Sequence, residues 1–472
     1  MATRSLRSIT RAWSSAASTD KLRVGIIGAG VGGATLAALL RKSADVDLRV
    51  WEGKAEGVLP DGYNLLFNHN HVGALHDADP ELAATVTAAG SPYKHWTNRT
   101  FEGEVTMHRD VHSEGLTGDT EWGSILRWDI VCAKLRAACA DDIRYGSRVE
   151  HHAYDDGAIV VDVNGEAERV DLLVVSDGRY SRQRELAVGE KTAHSLSHVA
   201  NSGMANFRLV YENDGSMPEL KTHDRLYNFP DASRLAAGGE FAHLSAAAGA
   251  SPSFEHVCMK GHARIGIMPL RSSSGTVDRY AAYGNFRFEG DIPPEAKTAD
   301  GLLAMYTPRG GAPDALGAFV LRGLERHADK IYWARMQRSS TSYRDQRGGV
   351  LLIGDAASGF FPSLGQGAGA AIEDASCAAS VLLGALERRR KRGGRLDVAA
   401  CTALIDQLRR ERRDFIADLS DVHTAHMIEG GRAALSAFED EQWRADAGRR
   451  SLEMLWTGFP RARDSHAAAY AL

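Results

Sequence analysis

The feature that most constrains the fold is a glycine turn that joins an apolar strand to a helix near the start of the chain. The apolar run Val24–Ile27 leads into Gly28, Gly30 and Gly33, and a helical pattern over 34–42 follows. In this spacing the first glycine permits the tight turn, the second lets backbone approach a pyrophosphate, and the third lets the helix pack on the strand. The helix N-terminus adds N–H donors. The turn therefore predicts a dinucleotide site.

An acid stands where such a fold places its ribose-binding carboxylate. The second apolar run, Leu48–Trp51, ends in Glu52. A carboxylate at this point binds ribose hydroxyls and would repel a ribose phosphate. The sequence thus favours FAD or NAD over NADP, and an ordinary glycine-rich turn is the alternative.

Length and charge limit the partners of the chain. At 472 residues it is long for one hydrophobic core, which predicts two intertwined domains. A net charge of −5, with both signs mixed, gives no attraction for nucleic acid, so we expect a small-molecule substrate. Five cysteines without metal spacing predict no metal site. No apolar run reaches the ~20 residues of a membrane span, so none is expected. The sequence leaves the oligomeric state open.

The N-terminal segment 1–20 has the composition of a targeting sequence. Arg4, Arg7 and Arg11 occur among serines and alanines, and no acid precedes Asp20. This pattern resembles an organelle presequence, and we expect a mitochondrial address. The alternative is an extension without an address and a cytoplasmic protein.

Hydrophobic periodicity divides the rest of the chain into segments. Residues 21–195 are expected to form the first part of a Rossmann-like nucleotide-binding domain, and 196–345 a second, sheet-based domain. Residues 346–445 return to the first domain and add C-terminal helices, and 446–472 form a tail. The predicted fold class is therefore α/β, with a Rossmann-like domain interleaved with a sheet domain.

Two further boxes follow apolar strands. Asp177 and Gly178 come after a strand that ends at Val175, and Asp355 comes after the buried run 350–353. Ligands of such folds bind at the carboxyl ends of the strands. Arg127 stands at the start of another predicted helix. From its spacing alone, a solvent-exposed role beside the helix and a contact with a cofactor phosphate are equally open.

Together these boxes resemble the FAD-dependent aromatic hydroxylases of the para-hydroxybenzoate hydroxylase and salicylate hydroxylase kind, the group A flavoprotein monooxygenases. The resemblance covers about residues 22 to 430. It is most specific at Gly354-Asp355-Ala356-Ala357 and at Gly365-Gln366-Gly367-Ala368. Ser358 stands where the family usually has histidine, so the substrate is not inferred from close relatives. The implied fold is a glutathione-reductase-type FAD-binding domain with a substrate sheet.

The resemblance implies a set of FAD-binding residues. Asp355 would bind the ribityl chain, Arg127 would contact the cofactor between its two halves, and Asp177-Gly178 would lie near both FAD and a transient NADH or NADPH. Backbone N–H groups at the helix start near Gly365 would stabilise negative charge on the reduced flavin. The full expected set is Gly28, Gly30, Gly33, Glu52, Arg127, Asp177, Gly178, Asp355, Pro362, Gly365 and Gly367.

The implied reaction is hydroxylation of a small aromatic or other electron-rich substrate. NADH or NADPH would reduce FAD, and O₂ would add to give a flavin hydroperoxide that transfers one oxygen atom. A flavin epoxidase, another FAD oxidoreductase and a non-catalytic nucleotide-binding protein are the alternatives. A flavin halogenase is disfavoured, because none of the eight tryptophans lies two positions from another.

Two basic side chains are candidates for the catalytic site. A phenolic substrate would react faster with a base or cation that favours its phenolate. On the strand ending at Pro269, His262 is expected on the face opposite Ala263, Ile265 and Ile267, and Arg208 lies on another predicted strand. His262 and Arg208 are therefore the candidates, with a surface or structural role as the alternative for each.

Overall fold

The computed structural model describes most of the chain. Its described residues are 21–60, 63–93, 95–110, 123–189, 199–216, 223–228, 263–287, 292, 294–307, 312–429 and 446–472. The predicted presequence and His262 lie outside the described residues. Their predictions therefore stay predictions.

Eighteen strands and eleven helices are named here in chain order from the described residues. The strands are β1 Leu22–Ile27, β2 Val46–Glu52, β3 Asn64–Phe67, β4 Ser91–Tyr93, β5 His95–Thr100, β6 Val105–Asp110, β7 Gly123–Arg127, β8 Ile143–Tyr145, β9 Val149–Asp155, β10 Ala158–Val163, β11 Glu166–Val170, β12 Leu172–Val175, β13 Val199–Glu212, β14 His223–Asn228, β15 Ala263–Arg271, β16 Val277–Arg287, β17 Tyr332–Ser339 and β18 Val350–Leu352. The helices are α1 Val31–Leu40, α2 His69–Ala78, α3 Pro80–Thr87, α4 Trp128–Ala137, α5 Arg182–Val188, α6 Ala299–Tyr306, α7 Ala315–His327, α8 Gly367–Arg392, α9 Val398–Glu429, α10 Asp446–Thr457 and α11 Ala462–Ala471.

A parallel sheet of five strands carries the glycine turn. Its order is β18-β12-β1-β2-β8, and every neighbouring pair is parallel. Strands that are buried on both faces have nearly continuous apolar sequences, as β12 and β18 have. Because β18 pairs with β12, the chain returns to this sheet after the strands in between. The α/β architecture with a parallel sheet and C-terminal helices confirms the predicted fold class. The segment boundaries stay predictions.

A second sheet of seven strands has the order β17-β13-β16-β15-β14-β5-β6. Side chains alternate between the two faces of a strand. On β13, Phe207 and Leu209 therefore pack in one core with Phe319 of α7, while Arg208 and Val210 lie on the opposite face. Strands β5 and β6 come from residues 95–110, so the first segment of the chain also contributes to this sheet.

The C-terminal segment 446–472 differs from the expected tail, because 446–457 and 462–471 form α10 and α11. Leu455 and Trp456 bury their apolar side chains, and the carbonyl of His466 lies so close to α8 that a Cβ on Gly384 would be 2.4 Å from its oxygen. The segment therefore packs against the rest of the protein through buried side chains and a close backbone contact with α8.

Helix α8 lies in the interior. By length and composition it could cross a membrane, but 94% of its most apolar window is buried inside the protein. The buried core helix of a soluble protein can have the same length and composition, so these features are weak evidence for a membrane span. In the part of the chain that the structure describes, no three His, Cys, Asp or Glu side chains group as metal ligands.

Candidate active site

The turn after β1 has the geometry expected of each of its glycines. Gly28 has a φ of +93°, which residues with a Cβ rarely adopt. A Cβ on Gly33 would lie 2.1 Å from the carbonyl oxygen of Gly28, so only glycine lets α1 pack this closely. A Cβ on Gly30 would meet nothing within 4 Å, and no side chain caps α1 at Gly30. Open space therefore adjoins the free N–H groups of a helix N-terminus.

Glu52 closes the turn from the side of β2. Its carboxylate accepts the backbone N–H of Ala29 at 3.0 Å and that of Lys54 at 2.9 Å. Arg136 of α4 donates to the same carboxylate at 3.3 Å and to the carbonyl oxygen of Ala29 at 2.9 Å. These bonds fix the acid beside the turn, as expected for a ribose-binding carboxylate.

A cavity of about 460 Å³ opens beside the turn. Cofactor and ligand pockets commonly have volumes of roughly 300–1,000 Å³. Residues from three strand ends of the parallel sheet meet in its wall. The wall includes Gly28, Gly30, Glu52, Arg136, Asp177 and Gly178.

Asp177 follows β12 at the carboxyl end of the parallel sheet. The protein around it raises the pKa of its carboxyl to about 6, chiefly by desolvation, and a bond with Ser181 opposes this shift. The residue still faces the open cavity, so water reaches it. A carboxyl that is partly protonated near pH 6 repels a neighbouring phosphate less than an ordinary aspartate does.

The structure brings the Asp355 box and the start of α8 together. Asp355 lies in a short 3₁₀ helix after β18, and its Oδ2 is 3.6 Å from Nη2 of Arg179. A Cβ on Gly367 would be 3.8 Å from Oδ1 of Asp355. Pro362 begins another short 3₁₀ helix, and Gly365 ends it with a φ of +65°. No side chain caps α8, so its first N–H groups also face the box.

Arg127 is engaged with two acids. Its guanidinium donates to Asp129 at 2.7 Å and to Asp278 at 3.2 Å, and these partners raise its pKa against the effect of desolvation. Since Asp278 belongs to β16, this arginine ties the start of α4 to the seven-stranded sheet. Its contact with a cofactor stays a prediction.

Comparisons with known proteins agree with this geometry. A family model described as an FAD binding domain matches residues 312–419, which contain the Asp355 box and α8. A FAD-dependent monooxygenase, orf3, of Aspergillus niger is 24% identical over 93% of both chains. The 3-amino-4-hydroxybenzoate 2-monooxygenase of Streptomyces cremeus is 25% identical over 78% of this chain and 79% of its own. The crystal structure of Klebsiella pneumoniae HpxO, complexed with FAD and uric acid, superposes with a TM-score of 0.69 at 18% identity, covering 95% of this chain and 97% of that one.

The chain is similar to FAD-dependent monooxygenases over most of its length, and residues 312–419 match the FAD binding domain. It is an enzyme of the oxidoreductase class. FAD, which the matched domain is described as binding, fits the residues present. The open space at Gly30 and the uncapped start of α1 suit a pyrophosphate, and Glu52 suits a ribose. The uncapped start of α8 beside Asp355 suits the flavin end.

Of the two catalytic candidates of this monooxygenase, the structure describes Arg208. Its guanidinium carbon lies 4.9 Å from the ring centre of Tyr63 and 4.6 Å from that of Tyr332. Among the described residues no carboxylate pairs with it. Arg208 thus presents its charge on the sheet face that turns towards the FAD-binding half.

Sequence reasoning missed Arg136 in the FAD-binding half. The pattern of α4 shows Cys132 and Leu135 on its apolar side, and Arg136 is buried beside them. An arginine one turn after Cys132 on a buried helix face is the signal that could have identified it.

Proposed function

We propose that this enzyme is an NADH- or NADPH-consuming hydroxylase of small, planar aromatic substrates that carry negative charge. The balanced reaction converts substrate, O₂, NAD(P)H and a proton into hydroxylated substrate, water and NAD(P)⁺. Bound FAD would accept the hydride and activate O₂. The protein's own groups would hold the substrate, orient it and exclude water.

The position of Arg208 carries this proposal. A guanidinium stays charged at all relevant pH values and forms strong bonds with carboxylates and phenolates. Two tyrosine rings hold it by cation–π contacts, each worth roughly 0.5–2 kcal/mol, which limits its rotamers. Around it the same sheet face carries apolar side chains, because Met268 and Leu270 pack there with Tyr63. A cation in apolar surroundings suits an aromatic anion better than a sugar or a neutral alcohol.

The catalytic role expected of His262 is part of the same proposal. It precedes β15, whose Arg264, Gly266 and Met268 alternate with the core residues Ile265 and Ile267. His262 lies outside the described residues, and the alternation in the sequence predicts it on the same face as Arg264. A base at this edge would favour the more nucleophilic phenolate.

The test is coupled turnover with a panel of phenols, anthranilates and aromatic carboxylates. Purified protein loaded with FAD should consume NADH or NADPH and O₂ with one substrate class and release a hydroxylated product. An epoxide product would support the epoxidase alternative. If neither nicotinamide reduces the bound FAD with any substrate, the proposal of an NADH- or NADPH-consuming hydroxylase fails.

Arg208→Gln tests the anchor. Loss of a charged hydrogen bond costs roughly 1.5–3 kcal/mol, so KM for an anionic substrate should rise about tenfold or more, while FAD binding stays unchanged. Arg326→Gln is the matched control, because Arg326 is exposed on α7 and pairs only loosely with Asp214. Equal KM values in parent and Arg208→Gln would refute the anchor.

A further inference from the structure

Five charged side chains form a buried ion cluster between α8 and α9. Glu373 and Asp374 come from α8, and Arg409, Arg412 and Arg413 from α9, and each is at most 7% exposed. Arg409 contacts Glu373 at 2.8 Å, Arg413 contacts Asp374 at 2.8 Å, and Arg412 contacts Glu373 at 3.1 Å. Glu373 is held ionised, since its two arginines lower its pKa against the cost of burial. Three cations and two anions leave one net positive charge.

The cluster holds the loop that presents Asp355. Asp374 accepts the backbone N–H of Gly354 at 2.8 Å, and Arg413 donates to the carbonyl oxygens of Gly354 and Ser358. Both ends of the loop 354–358 are therefore bonded to the cluster.

The cluster also reaches the start of α8 through α2. Asn70 donates to Glu373 at 2.6 Å and to the side-chain oxygen of Gln366 at 3.1 Å. His71 lies 2.8 Å from the same Gln366 oxygen. Gln366 is the N-cap of α8, directly before Gly367. Its amide is therefore fixed from two sides in a fully buried position.

The protonation of His71 follows from its bonds. Nδ1 accepts the backbone N–H of Asn68 at 3.0 Å, so Nε2 carries the hydrogen and donates it to Gln366. Burial lowers the pKa of His71 to about 4, which keeps the ring neutral. Its ring lies against the first turn of α8, because a Cβ on Gly369 would be 1.8 Å from it. His71 thus adds no charge to the cluster.

We propose that the buried ion cluster positions both FAD loops and that its net positive charge stabilises reduced, anionic FAD relative to oxidised FAD. The inference rests on FAD binding as assigned above. Charges inside a protein are screened less than charges in water, so a surplus cation acts over several ångströms. It acts in the same direction as the partial positive charge of the α8 N-terminus. Neither role requires a cluster residue to touch the flavin.

Two substitutions change the charge of the cluster in opposite directions. Glu373→Gln keeps the shape and leaves a surplus of two positive charges, whereas Arg412→Met leaves none. Arg412 suits this purpose, because its other bonds go to the carbonyl oxygens of Met454 and Leu455 and not to either FAD loop. The midpoint potential of bound FAD is measured by photoreduction with a reference dye, without a nicotinamide. The affinity ratio of reduced to oxidised FAD should rise about tenfold in Glu373→Gln and fall about tenfold in Arg412→Met, which is ~30 mV each way for two electrons.

Gln366→Leu tests positioning without a change of charge. The affinity for oxidised FAD, measured by flavin fluorescence, should fall about tenfold, because His71 and Asn70 lose their acceptor at the start of α8. Ser380→Ala is the matched control. It removes a buried bond to the carbonyl oxygen of Ser376 at 2.8 Å, roughly 21 Å farther along the same helix, and should leave FAD affinity unchanged.

The outcomes separate the two levels of inference. A parent protein that binds no FAD overturns the cofactor assignment and this proposal with it. If the parent binds FAD but both charge variants shift the midpoint potential in the same direction, the electrostatic role is wrong. It is also wrong if neither variant shifts the midpoint potential. If Gln366→Leu binds FAD as tightly as Ser380→Ala, the positioning role is wrong. Should Glu373→Gln fail to fold, Arg412→Met and Gln366→Leu still decide both points.

Discussion

Alanine at Gly30 and at Gly33 should separate cofactor binding from folding within one turn. At Gly30 the added methyl would point into open space, and the backbone has a φ of −75° and a ψ of −171°, which alanine adopts without strain. We expect Gly30→Ala to leave the unfolding free energy of the FAD-free protein unchanged. The methyl would occupy the space that a pyrophosphate needs, so FAD affinity should fall about tenfold or more, ~1.4 kcal/mol.

Gly33→Ala should show the reverse order of effects. Its Cβ would lie 2.1 Å from the carbonyl oxygen of Gly28 and 2.4 Å from Oγ of Ser176, and the first of these atoms is backbone that cannot rotate away. Overpacking of this kind costs roughly 1–3 kcal/mol, so the FAD-free protein itself should be less stable. FAD affinity would fall as a consequence of the displaced helix.

Both variants are compared by urea unfolding of FAD-free protein and by fluorescence titration with FAD. Gly57→Ala is the control for a glycine outside the turn, where a Cβ would also meet nothing but the φ of +78° disfavours alanine. A Gly30→Ala protein that binds FAD like the parent would refute a close pyrophosphate approach. A Gly33→Ala protein as stable as the parent would refute the close helix packing.

Three further results are expected. Because the pKa of Asp177 is raised to about 6, its contribution to the stability of FAD-free protein is full at low pH and is lost as pH rises through 6. The affinity for FAD should likewise rise as pH falls from 7 to 5. Asp177→Asn should abolish this pH dependence in FAD titrations. Asp374→Asn leaves buried cations uncompensated and should cost roughly 3–5 kcal/mol in urea unfolding, whereas Asp141→Asn, at an exposed pair, should cost ~0–1 kcal/mol; equal losses would contradict the burial argument. Deleting residues 1–20 should abolish mitochondrial import of a fluorescent fusion and leave FAD binding intact, and a cytoplasmic full-length fusion would contradict the proposed address.

Local patterns in the sequence were sufficient for the glycine turn and its acid. The strand, turn and helix around Gly28 are contiguous, and their spacing alone determines that Gly33 meets the backbone of Gly28. The position of Glu52 follows from the length of the connection from β1 through α1 to β2. These features depend on near neighbours along the chain, where periodicity and turn chemistry are informative.

The buried ion cluster could not be predicted in this way. Helix α9 carries many charged residues, and no local rule shows that Arg409 and Arg413 are buried while Arg410 is half exposed. The acidic partners of the buried arginines lie on α8, beyond the loop that joins the two helices. Only the packing of α8 against α9 therefore determines which arginines are buried. The start of α2 shows the same limit on a smaller scale. Asn68 is the N-cap of α2, and Asn70 in the first turn is buried because it contacts Glu373.

The link between α2 and α9 has a consequence for how the chain is made. Asn70 and His71 leave the ribosome long before their partners Gln366 and Glu373, and the Arg412 that binds Glu373, are synthesised. At roughly 5–20 residues per second, about 20–70 s pass before this set of contacts can close. Until then a polar helix face and the edge of β12 lack their partners, and β18 arrives only at residue 350. Truncated chains that end before α9 should therefore be recognised by chaperones and proteases, however well their first sheet has formed.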